Sequence, residues 1–365
     1  MKFRFFSLIA ICSILLFSCE TPAPKVEEAP KPKNIILMVG DGMGVTQVTA
    51  GIYTSKDSLN LEQFPVIGLH KSYASNDLIT DSAAGATAFS CGVKTYNGAI
   101  GVNPDTIAVK TILEIAEEHD LATGLVSTST ITHATPGSFI AHQKNRKMHE
   151  EIAKDFLNVD FDLFAGGGKT YFESRKDSLN LSEELKKKGY NVSDFFQVKP
   201  SELVMDASKP LVYYTANTNP VAVSEGRDYL PSISGKSARF LDERAKENGF
   251  FLMIEGSQID WGGHANESDY IITEMHDFDK AIGEVLEFAK QDGETLIIVT
   301  ADHETGGYAI NKGSKRDSLV TAFTTDYHTA DLIPVFAYGP GSEEFAGIYE
   351  NTAIFDKMKE LFGFE

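Results

Sequence analysis

NIILMVGDGMG, residues 34–44, is an apolar run that ends in a glycine-rich turn carrying Asp41, with a helical pattern beginning near Val45. The run NIILMV does not alternate between polar and apolar positions, so 34–39 reads as a strand buried on both faces. The same grammar recurs downstream. Residues 122–127, 250–254 (FFLMI) and 295–300 (TLIIVT) are further apolar strands, and 332–338 forms another. Helical patterns occupy 107–118, 237–248 and 269–290, and two more, 149–157 and 182–188, flank a less regular middle part. Apolar strands alternating with helices predict an α/β fold, a three-layer sandwich with a mostly parallel central sheet covered by helices on both faces. In such folds ligands bind beyond the carboxyl ends of the strands. Three of the runs end there in acid, at Asp41, Glu255 and Asp302. Carboxylates from distant positions would then meet at one rim, as a multinuclear metal site requires.

The second informative stretch is TDSAAGATAFSCGVKT, residues 80–95. Ser82 follows an Asp and opens a run of small, helix-compatible residues. At a helix N-terminus the unpaired backbone N–H groups and the positive end of the dipole favour an anion, which makes Ser82 a candidate nucleophile facing a phosphate-like group. The competing expectation is that Ser82 only caps the helix.

Composition narrows the function classes. With 365 residues, 42 % of them hydrophobic and 10 % aromatic, the chain has the material for a globular core. A net charge of −19 argues against nucleic-acid binding as such, and an anionic substrate would need local positive charge, which bound cations supply. Lys2 and Arg4 precede an apolar stretch at 8–17 too short for a comfortable membrane span, and Leu16-Phe17-Ser18-Cys19 resembles a bacterial lipobox. The expected division is a lipoprotein signal peptide at 1–18, a lipidated Cys19 with a Pro-rich tether at 19–33, and a catalytic domain at 34–365. An ordinary cleaved signal is the alternative. Cys12 lies in the signal and Cys19 is spent on lipid, leaving Cys91 alone. No internal disulfide is then possible, and any zinc must be held by His, Asp and Glu.

Further candidate ligands fall in three stretches and at His328. IEGSQIDWGGHANES (254–268) carries Glu255, Asp260 and His264, the last two at a spacing that can chelate one ion from a helical turn or tight loop. TADHETGG (300–307) puts Asp302 and His303 directly after a strand, and His328 precedes another. Together they offer mixed nitrogen and oxygen ligands for two zinc-type ions. STITHATPGSFIAHQKNRK (129–147) supplies His133, Thr135 and Arg146, whose planar fork suits two phosphate oxygens. His142, His149 and His276 lack an acidic partner at metal-site spacing. FAGGGKTYF (164–172) lacks the spacing of a phosphate loop and reads as a strand end and turn.

MVGDGMG, TDSAAGATAFSCGVKTYNGAIGV, THATP with the later NRK, EGSQIDWGGH, TADHETGG and the His before LIPVFAYGPG together resemble the alkaline phosphatases, in order and over nearly the whole mature chain. The short, tethered form is most similar to cold-environment and marine bacterial members. The resemblance implies hydrolysis of small phosphate monoesters with Ser82 as the phosphorylated nucleophile and Arg146 as the phosphate clamp. It implies one zinc on Asp260, His264 and His328, and a second on Asp41, Asp302 and His303 that also contacts Ser82. A magnesium would sit on Asp41, Thr135 and Glu255. His133 and Trp261 stand near the third site and the phosphate where some bacterial members have Asp and Lys, leaving open whether that site takes magnesium or zinc. The segment between His303 and His328 is short for the family, and the expected assembly is a monomer or homodimer. The expected location is exported and lipid-anchored, with Glu20 pointing to the outer membrane, facing the periplasm or cell surface. A related phosphodiesterase or sulfatase, and a surface lipoprotein that captures zinc or phosphate without turnover, are the alternatives.

Overall fold

The structure, a computed structural model, describes residues 30–364. The expected signal peptide at 1–18, the expected lipidated Cys19 and the expected tether up to residue 29 therefore lie outside the described residues. In chain order the strands are β1 Asn34–Gly40, β2 Val66–Lys71, β3 Ala122–Thr130, β4 Leu163–Gly167, β5 Asn191–Asp194, β6 Leu211–Tyr214, β7 Phe250–Gly256 and β8 Thr295–Thr300. The short strands β9 Glu304–Thr305, β10 Ala309–Ile310, β11 Thr321–Ala322 and β12 His328–Thr329 follow, then β13 Ile333–Tyr338 and β14 Gly347–Glu350.

Ten of these form one sheet in the order β14-β2-β13-β8-β1-β7-β3-β4-β6-β5. Only β13 runs against its neighbours β2 and β8, and the remaining pairs are parallel. Side-chain alternation along β1 divides the core. Ile36 and Met38 pack with the helices Leu230–Ala245 and Ser268–Asp292, while Ile35, Leu37 and Val39 pack with Ser82–Cys91, Ile112–Glu118, His149–Asp155 and Thr352–Phe362. Each such side chain contributes about 1.5–3 kcal/mol when fully buried, which is why the central strands carry no polar alternation. The three-layer sandwich read from the sequence is the observed architecture.

Several boundaries differ from expectation for local reasons. The helix expected at 107–118 begins at Ile112, because Thr111 and Glu114 close a capping box: Glu114 N donates to Thr111 Oγ1 at 3.1 Å and Thr111 N to Glu114 Oε2 at 2.8 Å. Ile107, read as helical, is 60 % exposed in the preceding loop. The helix expected at 237–248 starts seven residues earlier, at Leu230, where Pro231 suits the first turn, and it ends at Ala245. Strand β2 was not anticipated, since VIGLHK mixes buried and exposed positions. Residues 164–172 form the end of β4, a turn at Gly168 and a short helix.

The register places the acidic residues together. β1 lies between β7 and β8, with Val39 opposite Glu255 on one side and Thr300 on the other. Asp41 and Asp302 each lie two residues beyond that level, so all three carboxylates reach the same rim. Among the described residues, no helix is long and apolar enough to cross a membrane.

Candidate active site

Ser82 is the first residue of the helix Ser82–Cys91, and its capping residue is Asp81, whose Oδ1 accepts from Ala84 N at 3.0 Å. The cap being filled, the Ser82 hydroxyl is not needed there. Its Oγ instead lies 3.3 Å from His303 Nε2. The other oxygen of Asp81 orients Arg146, which donates from Nη1 to Oδ2 at 3.0 Å. Arg146 lies in a turn tied by its backbone N–H to Gly98 O at 2.8 Å, and its Nη2 is 3.4 Å from His133 Nε2.

Three groups of ligand-type side chains converge beside Ser82, and within each group the ligand atoms lie within 4.8 Å of one another. In the first, His264 Nε2 and His328 Nε2 face each other at 3.1 Å, with Asp260 Oδ1 at 3.4 and 3.6 Å from them. In the second, His303 joins Asp41 and Asp260. His303 Nε2 is 3.5 Å from Asp41 Oδ1 and 3.2 Å from Asp302 Oδ2, so Asp302 adjoins this group as well. The third contains Asp41 and Glu255, as the family resemblance implies, and also His133. Thr135, in the helical turn Ala134–Gly137, lies close enough to influence Glu255. Trp261 meets the His133 ring edge-on with centroids 6.4 Å apart. Every residue named as a site candidate from the sequence within 30–364 lies in or beside this assembly.

Supporting groups fix these side chains. His328 Nδ1 is 2.7 Å from Thr80 O and His264 Nδ1 2.7 Å from Asp326 O. A carbonyl only accepts, so each Nδ1 carries the proton and each Nε2 presents a lone pair to the cluster. Thr305 Oγ1 donates to Asp260 Oδ1 at 2.5 Å and lies 3.2 Å from His303 Nδ1. Ser127 and Ser129 hydroxyls donate to Glu255 Oε2 at 2.6 and 3.3 Å. Gly42 adopts φ +73°, and a Cβ there would fall 2.7 Å from Asp260 Cα, so only glycine lets the turn after β1 approach this closely. Asp81, Thr305, Ser127 and Ser129 were not singled out in the sequence. The Asp81-Ser82 dipeptide carried a capping signal, but the others are ordinary hydroxyls whose partners are distant in the chain.

The electrostatics favour a cation. Asp41 Oδ1 and Oδ2, Glu255 Oε1 and Asp302 Oδ2 are buried and make no hydrogen bond among the described residues. Unpaired buried charge of this kind costs on the order of 3–5 kcal/mol per group. Burial first, and then Asp302 and Asp260, hold the Asp41 carboxyl well above the usual range. Burial, followed by Asp260, pushes Asp302 up to about 7. Burial also drives His303 and His133 well below the ordinary imidazole value, with His328 adding to the first and Arg146 to the second. Neutral imidazoles facing crowded carboxylates are the donor set of zinc, and the oxygen-rich group around Asp41 and Glu255 also suits magnesium. The residues present therefore fit divalent ions.

Comparison with known proteins agrees with this geometry. The family model described as "Alkaline phosphatase" matches residues 32–321. Alkaline phosphatase 3 of Bacillus subtilis is 34 % identical over 95 % of this chain and 94 % of its own. Among solved structures, the alkaline phosphatase of the Antarctic bacterium TAB5 is 46 % identical, with TM-score 0.86 over 93 % of this chain and 100 % of that one. A histidine-to-aspartate variant of that enzyme, 45 % identical with the same TM-score and coverage, has Mg bound in the M3 site.

Proposed function

The chain belongs to the alkaline phosphatase family of metal-dependent phosphoric monoester hydrolases, and from that premise we propose that it cleaves phosphate monoesters through a phosphoserine at Ser82. The observation that carries this reading is the position of Ser82 Oγ, at a helix N-terminus and 3.3 Å from His303 in a ligand cluster. Ser82 Oγ attacks phosphorus in line with the departing ester oxygen. A Ser82 Oγ–P bond forms as the ester P–O bond breaks, and the proton that leaves the Ser82 hydroxyl is balanced by the one taken up, through solvent, by the departing ester oxygen to give the alcohol. Water then cleaves the phosphoserine, releasing inorganic phosphate and restoring the hydroxyl. Arg146, aimed by Asp81, and the backbone N–H groups of the Ser82–Cys91 helix neutralise the phosphoryl oxygens.

Asp260, His264 and His328 would hold one zinc, and Asp41, Asp302 and His303 a second. Asp41, Thr135 and Glu255, with His133 beside them, would hold a magnesium. When bound, these ions supply Lewis acidity and lower the pKa of an oxygen nucleophile. The TAB5 structure with Mg in the M3 site is that of a variant whose histidine is replaced by aspartate, whereas this chain has His133 in its third group, so a magnesium here is proposed from the oxygens of Asp41, Thr135 and Glu255. The expected result is zinc-dependent turnover of a chromogenic monoester, much faster than that of a diester or sulfate, with label from the ester trapped on Ser82 in acid. Equal rates on all three esters, or label elsewhere, would refute this assignment. Tight zinc binding without turnover would favour the capture lipoprotein.

Export and lipid anchoring at Cys19 are proposed from the signal and lipobox pattern. Labelling with a fatty-acid analogue should be lost in Cys19→Ser, and labelling that persists would remove the anchor.

A further inference from the structure

Tyr327 is half exposed, at 48 %, and directly precedes the ligand-type residue His328. Its ring lies flat on the His328 imidazole, centroids 4.5 Å apart with 7° between planes, and its centroid is 6.0 Å from that of His264. The stack continues inward, His328 lying 3.5 Å from the His303 ring at 15°. Tyr327 is thus the outer member of a three-ring column whose inner end adjoins Ser82. Its backbone is anchored on both sides: Gly306 N donates to Tyr327 O at 2.9 Å, and Tyr327 N donates to Thr325 Oγ1 at 3.1 Å. One ring face is covered by His328, and the exposed part remains available for contact.

The charges around the phenol are Asp81, Asp77 and Asp260, with Arg146 as the one cation among its main electrostatic neighbours. Asp260 belongs to a ligand group that would hold a divalent ion, which offsets these carboxylates when bound, so the flat ring face rather than net charge is what distinguishes this side of the site. This inference rests on the catalytic reading above: Ser82 Oγ lies against His303, so in-line displacement sends the ester oxygen away from that ring, and departure toward the other ligand group, His264 and His328, would bring the organic part of the leaving group out next to Tyr327.

We propose that Tyr327 is a specificity-determining residue, an aromatic platform that favours monoesters of planar aromatic alcohols over aliphatic ones. Aromatic pairs contribute about 0.5–1.5 kcal/mol beyond area burial, which corresponds to about a two- to tenfold preference.

The test compares kcat/KM of the zinc-loaded full-length chain on 1-naphthyl phosphate and on ethyl phosphate, for wild type, Tyr327→Ala and Tyr327→Phe. The ratio of aryl to alkyl kcat/KM should fall about two- to tenfold in Tyr327→Ala, mainly through KM, and stay near wild type in Tyr327→Phe. Inhibition by inorganic phosphate, which has no leaving group, should shift less than the aryl KM. An unchanged ratio in Tyr327→Ala overturns the platform, as does an equal fall on both esters with loss of zinc, which would make Tyr327 only a support for His328. Wild-type enzyme inactive on both esters would instead refute the catalytic reading itself.

Discussion

The ligand cluster has a deep wall and an outer wall built on different principles. Asp41, Glu255, Asp302 and His303 ride on or just beyond the adjacent strands β1, β7 and β8 and are wholly buried. Their separation is set by strand register. Asp260, His264 and His328 come from the helix Gln258–Ala265 and the two-residue strand β12, and the His264 side chain is 36 % exposed. The two imidazoles are oriented by loop carbonyls at Thr80 and Asp326, while Asp260, which also groups with Asp41 and His303, links them to the deep wall. A ligand set carried by a sheet edge inherits the rigidity of the core, whereas one held by loops exchanges with solvent more readily.

Metal removal tests this contrast most severely. Dialysis against a chelator should abolish activity, added zinc should restore it, and metal should leave in two phases with the outer wall emptying first. One phase would erase the contrast, and activity surviving exhaustive removal would dismiss the metals altogether. Ser82→Ala, placed between the walls, should lower turnover on the order of 10³-fold while metal content stays near wild type. Parallel loss of metal would mean that the serine helps to build the deep wall.

Acid should act on the deep wall from behind. His70 on β2 is fully buried, and its Nε2 donates to Ala301 O at 2.9 Å, next to Asp302. Burial, the largest cause, lowers its pKa from the ordinary 6.5 to about 4. Between those values the unfolded chain takes up a proton that the folded chain refuses. Stability present above pH 6.5 should therefore drain away as pH falls toward 4, by about 3 kcal/mol in total. His70→Gln keeps a donor for Ala301 without titrating, so its Tm should change less between pH 7 and 5 than that of wild type. Equal changes would acquit His70.

Thr305→Val is the smallest and the most discriminating test. Thr305 touches Asp260 of the outer wall and His303 of the deep one, so its loss should weaken metal retention in both, by about ten- to a hundredfold against a competing chelator. Weakening confined to one phase would show which contact matters.

The strands of the deep wall were legible because each is a short apolar run ending in acid, a local pattern that needs no partner to be recognised. Strand β2 and the true start of the Leu230–Ala245 helix were harder to read. The first alternates imperfectly at the side of the sheet, and the second is signalled by Pro231, ahead of the clearest helical periodicity. His133 was noted for its place near the third site, yet its grouping with Asp41 and Glu255 needed the turn after β3 to fold back over the rim. His149, discounted for want of an acidic partner, lies instead with Nδ1 3.1 Å from Thr132 O, behind that turn.

By itself the sequence determined the layered α/β plan, the residue types able to hold divalent ions and the serine at a helix start, because hydrophobic period, ligand chemistry and capping are all local properties. Only the tertiary structure decided that Asp81 caps in place of Ser82 while aiming Arg146, that Thr305 joins the two walls, and that Tyr327 lies across His328. Those facts are distances between residues up to some 250 positions apart, and strand order and loop packing set them where no local pattern records them.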